Sequence, residues 1–100
     1  MEISIQTPLL HSLPLSQRSG CNVWLKMESA QPTGSFKLRS AAHACRYYAE
    51  QGAKGFISSS GGNAGIAVAH SCRKLGLPVT VVVPETTSLR ARELIEQEGA

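Results

Sequence analysis

The sequence has few of the features that mark membrane, disulfide-stabilised and nucleic-acid-binding proteins. Its 100 residues include 3 cysteines and 17% charged residues, with a formal net charge of +3. The apolar segment at residues 79–83 is too short to span a bilayer, and no signal peptide is recognisable. The basic residues are scattered, which argues against a nucleic-acid partner. These absences predict a cytoplasmic protein that has neither a membrane nor a nucleic acid as partner.

The sequence has an odd number of cysteines and no C-x-x-C spacing, which argues against a disulfide scaffold and a zinc site. Cys21, Cys45 and Cys72 are therefore expected to be small buried hydrophobic residues in a reducing compartment. His43 and His70 each lie two positions before a cysteine on a predicted helix, so each pair points in different directions. No metal site is predicted.

Hydrophobic periodicity predicts an α/β fold with an open, mainly parallel sheet and flanking helices. Strands are expected at residues 3–5, 23–28, 55–57 and 79–83, the last covered on both faces because it is nearly all apolar. Helices are expected from about residue 35 to Gly52, from near Asn63 to Gly76, and from about Ser88 to Glu98.

Lys37 is the first residue of chemical interest, in the segment Pro-Thr-Gly-Ser-Phe-Lys-Leu-Arg at residues 32–39. It follows a glycine turn and falls in the first turn of a helix whose apolar face includes Leu38, Ala42 and Cys45. A helix N-terminus disfavours an ammonium ion and favours the neutral, nucleophilic amine. The alternative is a solvated charge beside a turn, which is the usual state of a single lysine.

A second motif, Ser-Ser-Ser-Gly-Gly-Asn-Ala-Gly, occupies residues 58–65 between a strand-like run and an alanine-rich helical stretch. A strand, a glycine turn and a helix start in succession bring unpaired backbone N–H groups together, which suits a phosphate or a carboxylate. The alternative is a simple turn in which Asn63 caps the helix. The segment has neither the G-x-G-x-x-G spacing of a dinucleotide site nor the Gly-Lys-Ser/Thr ending of a Walker A loop.

Together the two motifs resemble those of the fold-type II pyridoxal-phosphate enzymes, within them the L-serine dehydratase/L-threonine deaminase branch. The resemblance extends from residue 7 to residue 85 and includes the Val-Trp-Leu-Lys-Met-Glu segment at 23–28. It implies pyridoxal 5'-phosphate as cofactor, an amino acid as small-molecule substrate and a homodimer. The implied reaction is β-elimination, in which L-serine gives pyruvate and ammonia, and L-threonine as a second substrate would give 2-oxobutanoate.

The resemblance also implies roles for individual residues. Lys37 would form the Schiff base with the cofactor and act as the catalytic base, and Phe36 would pack beside the cofactor ring. Asn63 would contact the 3'-oxygen of the cofactor and belong to the loop that binds the substrate. The other substrate-carboxylate residues of that loop would be Ser60, Gly61, Gly62 and Ala64.

Gly61 separates the branches of the family that the sequence resembles. Racemases of this fold carry serine there, and its hydroxyl reprotonates the α-carbon, whereas glycine has no side chain that could carry a proton. Cysteine synthases usually read Ser-Val-Lys and Thr-Ser-Gly-Asn-Thr, unlike this chain. Elimination is therefore favoured, while racemase, cysteine synthase and threonine synthase activities and a non-catalytic α/β fragment remain the alternatives.

The family's enzymes are longer than 100 residues, so we expect this chain to be the N-terminal part of one. Residues 1–34 would belong to the larger cofactor domain, and residues 35–100 would begin the smaller α/β domain. The glycine-rich loop that holds the cofactor phosphate in this family has no counterpart here, because Gly61 and Gly62 form the only glycine pair.

Overall fold

A computed structural model describes residues 2–100, which alternate between strands and helices. In chain order, the elements are β1 (Leu9–His11), α1 (Leu13–Ser19), β2 (Trp24–Lys26), a 3-10 turn (Glu28–Ala30), α2 (Lys37–Glu50), β3 (Phe56–Ser58), α3 (Asn63–Leu75), β4 (Val79–Val81) and α4 (Leu89–Gln97). The α/β class is confirmed. None of the helices formed within residues 2–100 has the length and apolar character that a membrane crossing requires.

The first sheet is an antiparallel pair in which β1 lies beside β2, with Leu9 opposite Lys26. The strand expected at residues 3–5 is wrong, because this segment is irregular. Ile3 instead contributes its side chain to the core beside Leu38, and the backbone of Ile5 is bonded by a side chain rather than by a strand. Burial without a pairing partner gives a residue no reason to adopt strand geometry.

The second sheet is a parallel pair, β3 and β4, joined by the crossover helix α3. Helix α3 ends at Gly76, whose φ of 72° lies in the left-handed region that favours glycine, as the sequence predicts. The expectation that residues 79–83 are covered on both faces is wrong. Val79 and Val81 are half-buried, whereas Val82 is exposed and Ile57 of β3 is 79% exposed.

Helices α2 and α3 pack against each other, and the core lies mainly between them. The buried apolar side chains are Ile3, Leu38, Ala42, Cys45, Ala67, Ala69, Cys72 and Ile95. The predicted apolar face of α2 is therefore confirmed. Cys21 was expected to be buried, but it is exposed because it lies in the turn that follows α1.

Candidate active site

The segment before α2 is a tight turn that delivers Lys37 to the start of the helix. The N–H of Gly34 donates to the carbonyl of Gln31 over 2.8 Å, and Gly34 has a φ of 80°, which a residue without Cβ adopts at low cost. Phe36 is the N-cap, and Lys37 is the first helical residue, as predicted. No side chain caps this helix end, and the N–H of Arg39 donates to the carbonyl of Phe36 over 3.0 Å.

The Lys37 amine is exposed beside an aromatic ring. Its Nζ lies 5.3 Å from the centroid of the Phe36 ring, and Phe36 is itself 59% exposed. Within residues 2–100, no carboxylate pairs with this amine. The lysine is therefore free to react with a ligand that lies against the ring.

The second motif forms the loop between β3 and α3. The Oγ of Ser60 accepts a hydrogen bond from the N–H of Gly62 over 3.2 Å. The first helical bond runs from the N–H of Ile66 to the carbonyl of Gly62. The N–H groups of Asn63, Ala64 and Gly65 therefore precede the hydrogen-bonded turns, at the helix end that carries partial positive charge. Such an end suits a carboxylate.

Asn63 is not the helix cap that the sequence suggests as an alternative. Gly62 is the N-cap, and no side chain makes a capping bond there, because Asn63 already has helical geometry. The amide of Asn63 is consequently available for other contacts. Asn63 lines a surface groove and does not cap the helix.

A groove of about 470 Å³ joins the two motifs. One wall of the groove is formed by residues 24–29, which include β2, and the other by Gly34, Ser35 and Phe36. Asn63 also lines the groove. Phe36 and Asn63 are thus brought together although they are far apart in sequence. Lys37 directly follows a groove residue. Lys37 does not itself line the groove, and neither do the remaining members of the predicted site, Ser60, Gly61, Gly62 and Ala64.

Gly61 faces the segment that follows β4 rather than the groove. A Cβ at this position would lie 3.1 Å from the Oγ1 of Thr87, 3.3 Å from its Cγ2 and 3.6 Å from the Cγ1 of Val83. The Thr87 side chain therefore lies directly against the loop at residues 60–64. The sequence gives no local signal of this contact, because position 87 is distant from the motif.

Two buried hydroxyls near Lys37 have no hydrogen-bond partner among the described residues: the Oγ1 of Thr33 and the Oγ of Ser35. A buried hydroxyl without a partner is costly. Ser35 is also one of the groove residues. Polar groups of this kind, next to a free amine and an exposed ring, are typical of a binding site rather than of a solvated surface.

Sequence reasoning missed the polar residues of the opposite wall. The Glu28 carboxylate accepts hydrogen bonds from Arg39 and Thr7. The Arg39 guanidinium is the largest cause, and the Thr7 hydroxyl the next, of a Glu28 pKa lowered to about 2. Hydrogen bonding to Glu28 correspondingly raises the pKa of Arg39. The only sequence signal was the alternation of Lys26 and Glu28 along a strand-like segment, which predicts a shared strand face but no partner.

Comparison with known proteins identifies the family. The family model for pyridoxal-phosphate dependent enzymes matches residues 2–100. This chain belongs to that family. The L-serine dehydratase/L-threonine deaminase of Homo sapiens is 48% identical over 98 residues, a match that covers 98% of this chain and 30% of that protein. The chain thus spans about 30% of the length of the curated relatives it matches.

Two solved structures of the same family illustrate the shared fold. The fungal L-serine ammonia-lyase from Rhizomucor miehei aligns with a TM-score of 0.83 and 37% identity, covering 99% of this chain and 32% of that one. The serine racemase from Dictyostelium discoideum aligns with a TM-score of 0.89 and 32% identity, covering 97% and 32%. Lyases and racemases therefore share this architecture, and the choice between them depends on individual residues.

The residues present fit part of the cofactor that gives the family its name. An unpaired lysine amine can hold an aldehyde, an exposed phenyl ring can pack against a pyridine ring, and a side-chain amide can bond a ring oxygen. Lys37, Phe36 and Asn63 supply these three groups at or beside one groove. Residues 2–100 contain no glycine-rich segment that would hold the phosphate.

Proposed function

We propose that this chain is the N-terminal part of a pyridoxal-phosphate dependent ammonia-lyase that deaminates L-serine, with L-threonine as a second substrate. Serine would lose its α-proton and β-hydroxyl as one water, and hydrolysis would then release ammonia and pyruvate. Threonine would give 2-oxobutanoate in the same way. The names of the similar dehydratases and of the similar fungal ammonia-lyase support this choice of reaction.

One observation carries the proposal: Phe36 and Asn63, from separate segments, line a single groove, and the Lys37 amine lies 5.3 Å from the centroid of the Phe36 ring. Pyridoxal phosphate, when bound, supplies the electron-withdrawing ring that makes the α-proton of an amino acid removable. Lys37 would hold the cofactor and, when the substrate displaces it, take up the α-proton on its neutral amine.

The loop from Ser60 to Ala64 would bind the substrate carboxylate. The N–H groups at the start of α3 donate toward a negative charge, and the Ser60 hydroxyl is held in place by its bond to the Gly62 N–H. A Cβ at Gly62 would meet nothing within 4 Å, so the absence of a side chain there would let the carboxylate approach the backbone. The loop would therefore orient the α-carbon without taking part in proton transfer.

Gly61 favours elimination over racemisation. Racemisation needs a second proton carrier on the face opposite Lys37, and glycine offers none. The likeness to a serine racemase of Dictyostelium discoideum makes racemase activity the second candidate. The ratio of keto acid to D-serine formed from L-serine separates the two activities. Keto acid as the main product supports the lyase. D-serine without keto acid would show that a residue other than Gly61 carries the second proton.

The assignment of Lys37 is tested by trapping. We expect the purified full-length protein to be yellow, and borohydride treatment to fix the pyridoxyl group on Lys37, as located by peptide mass analysis. Lys37→Ala should lower kcat/KM for L-serine by at least about 10³-fold because both cofactor attachment and proton transfer are lost. Lys54→Ala is the matched control, since Lys54 is an exposed lysine beyond the end of α2.

A colourless protein, or a pyridoxyl group on another lysine, would overturn the assignment. A Lys37→Ala variant that retains normal keto-acid production would do the same. Equal losses in Lys37→Ala and Lys54→Ala would point to general charge effects rather than to chemistry.

The proposal also includes the assembly, location and domain arrangement that the family resemblance implies. The protein would be a cytoplasmic homodimer, with residues 1–34 in the larger cofactor domain and residues 35–100 opening the smaller domain. Light scattering on the purified protein measures the mass of the assembly, and cell fractionation measures the location. Limited proteolysis that cuts first near residue 34 would support the domain division.

A further inference from the structure

The two walls of the groove are joined by an ion pair that belongs to neither the predicted cofactor residues nor the predicted substrate residues. Glu28 lies on the wall that contains β2, at the start of the 3-10 turn. Arg39 lies in the first turn of α2, two residues after Lys37. Any contact between the two therefore fixes the start of α2 relative to the opposite wall.

The contact is a two-point one. The Nε of Arg39 donates to the Oε1 of Glu28, and one terminal nitrogen of Arg39 donates to the Oε2 over 3.0 Å. A planar guanidinium that meets both oxygens of a carboxylate restrains rotation as well as distance. The contact therefore restrains the first turn of α2 relative to Glu28, and Lys37 leaves the helix from this same turn.

Glu28 is in turn anchored to the N-terminal segment. The Thr7 hydroxyl donates to its Oε2, and the amide nitrogen of Gln31 lies 3.4 Å from each carboxylate oxygen. Gln31 is buried and binds the backbone of Ile5 on both sides, accepting from its N–H over 2.9 Å and donating to its carbonyl over 2.8 Å. The ion pair is thus attached to a fixed framework, and the lowered pKa of Glu28 keeps its carboxylate ionised well below neutral pH.

On the basis of the proposed function, we propose that Glu28 and Arg39 are positioning residues for Lys37, which hold its amine at the groove through their two-point contact. Neither residue needs to touch the reacting atoms. The side chain of Arg39 is 43% exposed, and an ion pair of such exposure contributes little to stability. A small displacement of a catalytic group, in contrast, lowers the rate strongly.

The protein contains a matched control pair far from the groove. Arg73 of α3 donates to Glu98 over 3.1 Å, and the side chains of this pair are 47% and 19% exposed, against 43% and 15% for Arg39 and Glu28. Arg39→Gln and Arg73→Gln therefore remove arginines of similar exposure from similar partners. A purely structural role would give both variants the same phenotype.

We expect Arg39→Gln to lower kcat by about 10- to 100-fold, a loss typical of misplacement by about 1 Å, with a smaller change in KM. The visible circular dichroism of the bound cofactor should also change, because this signal depends on how the cofactor is held. Arg73→Gln should leave kcat and this signal unchanged. Arg39→Lys should recover only part of the loss, because an ammonium lacks the planar fork.

A cofactor-free measurement completes the test. In the apoprotein, acetic anhydride labelling followed by mass spectrometry gives the ratio of acetylation at Lys37 to that at Lys54. We expect Arg39→Gln to change this ratio at least twofold, and Arg73→Gln to leave it unchanged.

The outcomes separate this inference from the proposed function. A wild-type protein without bound cofactor would overturn both. A yellow and active wild-type protein whose Arg39→Gln variant matches Arg73→Gln in kcat, dichroism and labelling ratio would overturn only the positioning role. An Arg39→Gln variant with a lower unfolding temperature but unchanged kcat, dichroism and labelling ratio would also overturn only the positioning role.

Discussion

Gly65→Ala is expected to damage the loop at residues 60–64, which we propose to bind the substrate carboxylate, more than it damages the fold. Gly65 lies in the first turn of α3, where a Cβ would be 3.1 Å from the carbonyl carbon of Ser60 and 3.2 Å from the Cγ1 of Val81. The same Cβ would overlap the Ser60 carbonyl oxygen by more than about 1 Å relative to the usual C···O separation of about 3.3 Å. The backbone at Ser60 would have to move, since no flexible side chain is involved.

Gly65→Ala has two opposing effects on the free energy of unfolding and one effect on kcat/KM. Overpacking costs about 1–3 kcal/mol, and the better helix propensity of alanine returns about 1 kcal/mol. The net loss of unfolding free energy should therefore stay below about 2 kcal/mol. A displacement of the loop by about 1 Å should lower kcat/KM by about 10²-fold, chiefly through KM if this loop binds the carboxylate.

The assay combines keto-acid production from L-serine with urea unfolding of the same preparations. Gly55→Ala is the control, because a Cβ there would lie 3.1 Å from the Cγ of Pro78, near the start of β3 and away from the substrate loop. We expect Gly55→Ala to lower stability and leave KM unchanged. A Gly65→Ala protein with kcat/KM within about threefold of wild type would refute the reasoning.

Three further predictions concern titratable groups and a helix cap. The folded-state pKa of Glu28, about 2, lies below its ordinary value of 4.5. Its contribution to stability is therefore complete above pH 4.5 and is lost as the pH falls toward 2. Because Arg39 is partly exposed, this contribution is small, so urea unfolding between pH 6 and 3 should show only a slight loss, which Glu28→Gln should reduce further. Burial raises the pKa of the Cys45 thiol and raises that of Cys72 to about 12. Iodoacetamide at pH 8 should therefore modify the exposed Cys21 and leave Cys45 and Cys72 unmodified, which mass spectrometry can measure. The Ser88 hydroxyl accepts a hydrogen bond from the N–H of Ala91 over 3.1 Å at the start of α4. Ser88→Ala should therefore lower the free energy of unfolding by about 1 kcal/mol. An unchanged free energy of unfolding would show that this cap is dispensable.

Local signals in the sequence predicted helices α2, α3 and α4, whereas helix α1 (Leu13–Ser19) was not predicted. Gly76 and Gly99 both have a positive φ near the helix ends expected for α3 and α4, and apolar spacing identified the buried face of α2. Lys37 is the first residue of its helix, as predicted. These features depend on residues a few positions apart, so periodicity and turn chemistry suffice to find them.

Apart from helix α1, whose Ser12 cap and Gly20 end are local signals, the features that sequence reasoning missed are non-local. The strand at Leu9–His11 exists because β2 lies beside it, whereas the equally apolar segment at residues 3–5 has no such partner. The contact between Glu28 and Arg39 joins positions eleven apart that belong to different elements. Ile57 is exposed although its strand is apolar, because α3 covers only one face of the sheet. In each case the outcome depends on which segments meet.

The contact between Gly61 and Thr87 constrains how this site can change during evolution. A side chain at position 61 and the existing side chain at 87 would compete for the same space, since the distances involved are 3.1 and 3.3 Å. Substitutions at the two positions are therefore expected to be epistatic: a residue larger than glycine at 61 is best accommodated after position 87 has become smaller. The order in which mutations arise, and not only their identity, would decide whether a new proton-carrying group can enter the substrate loop.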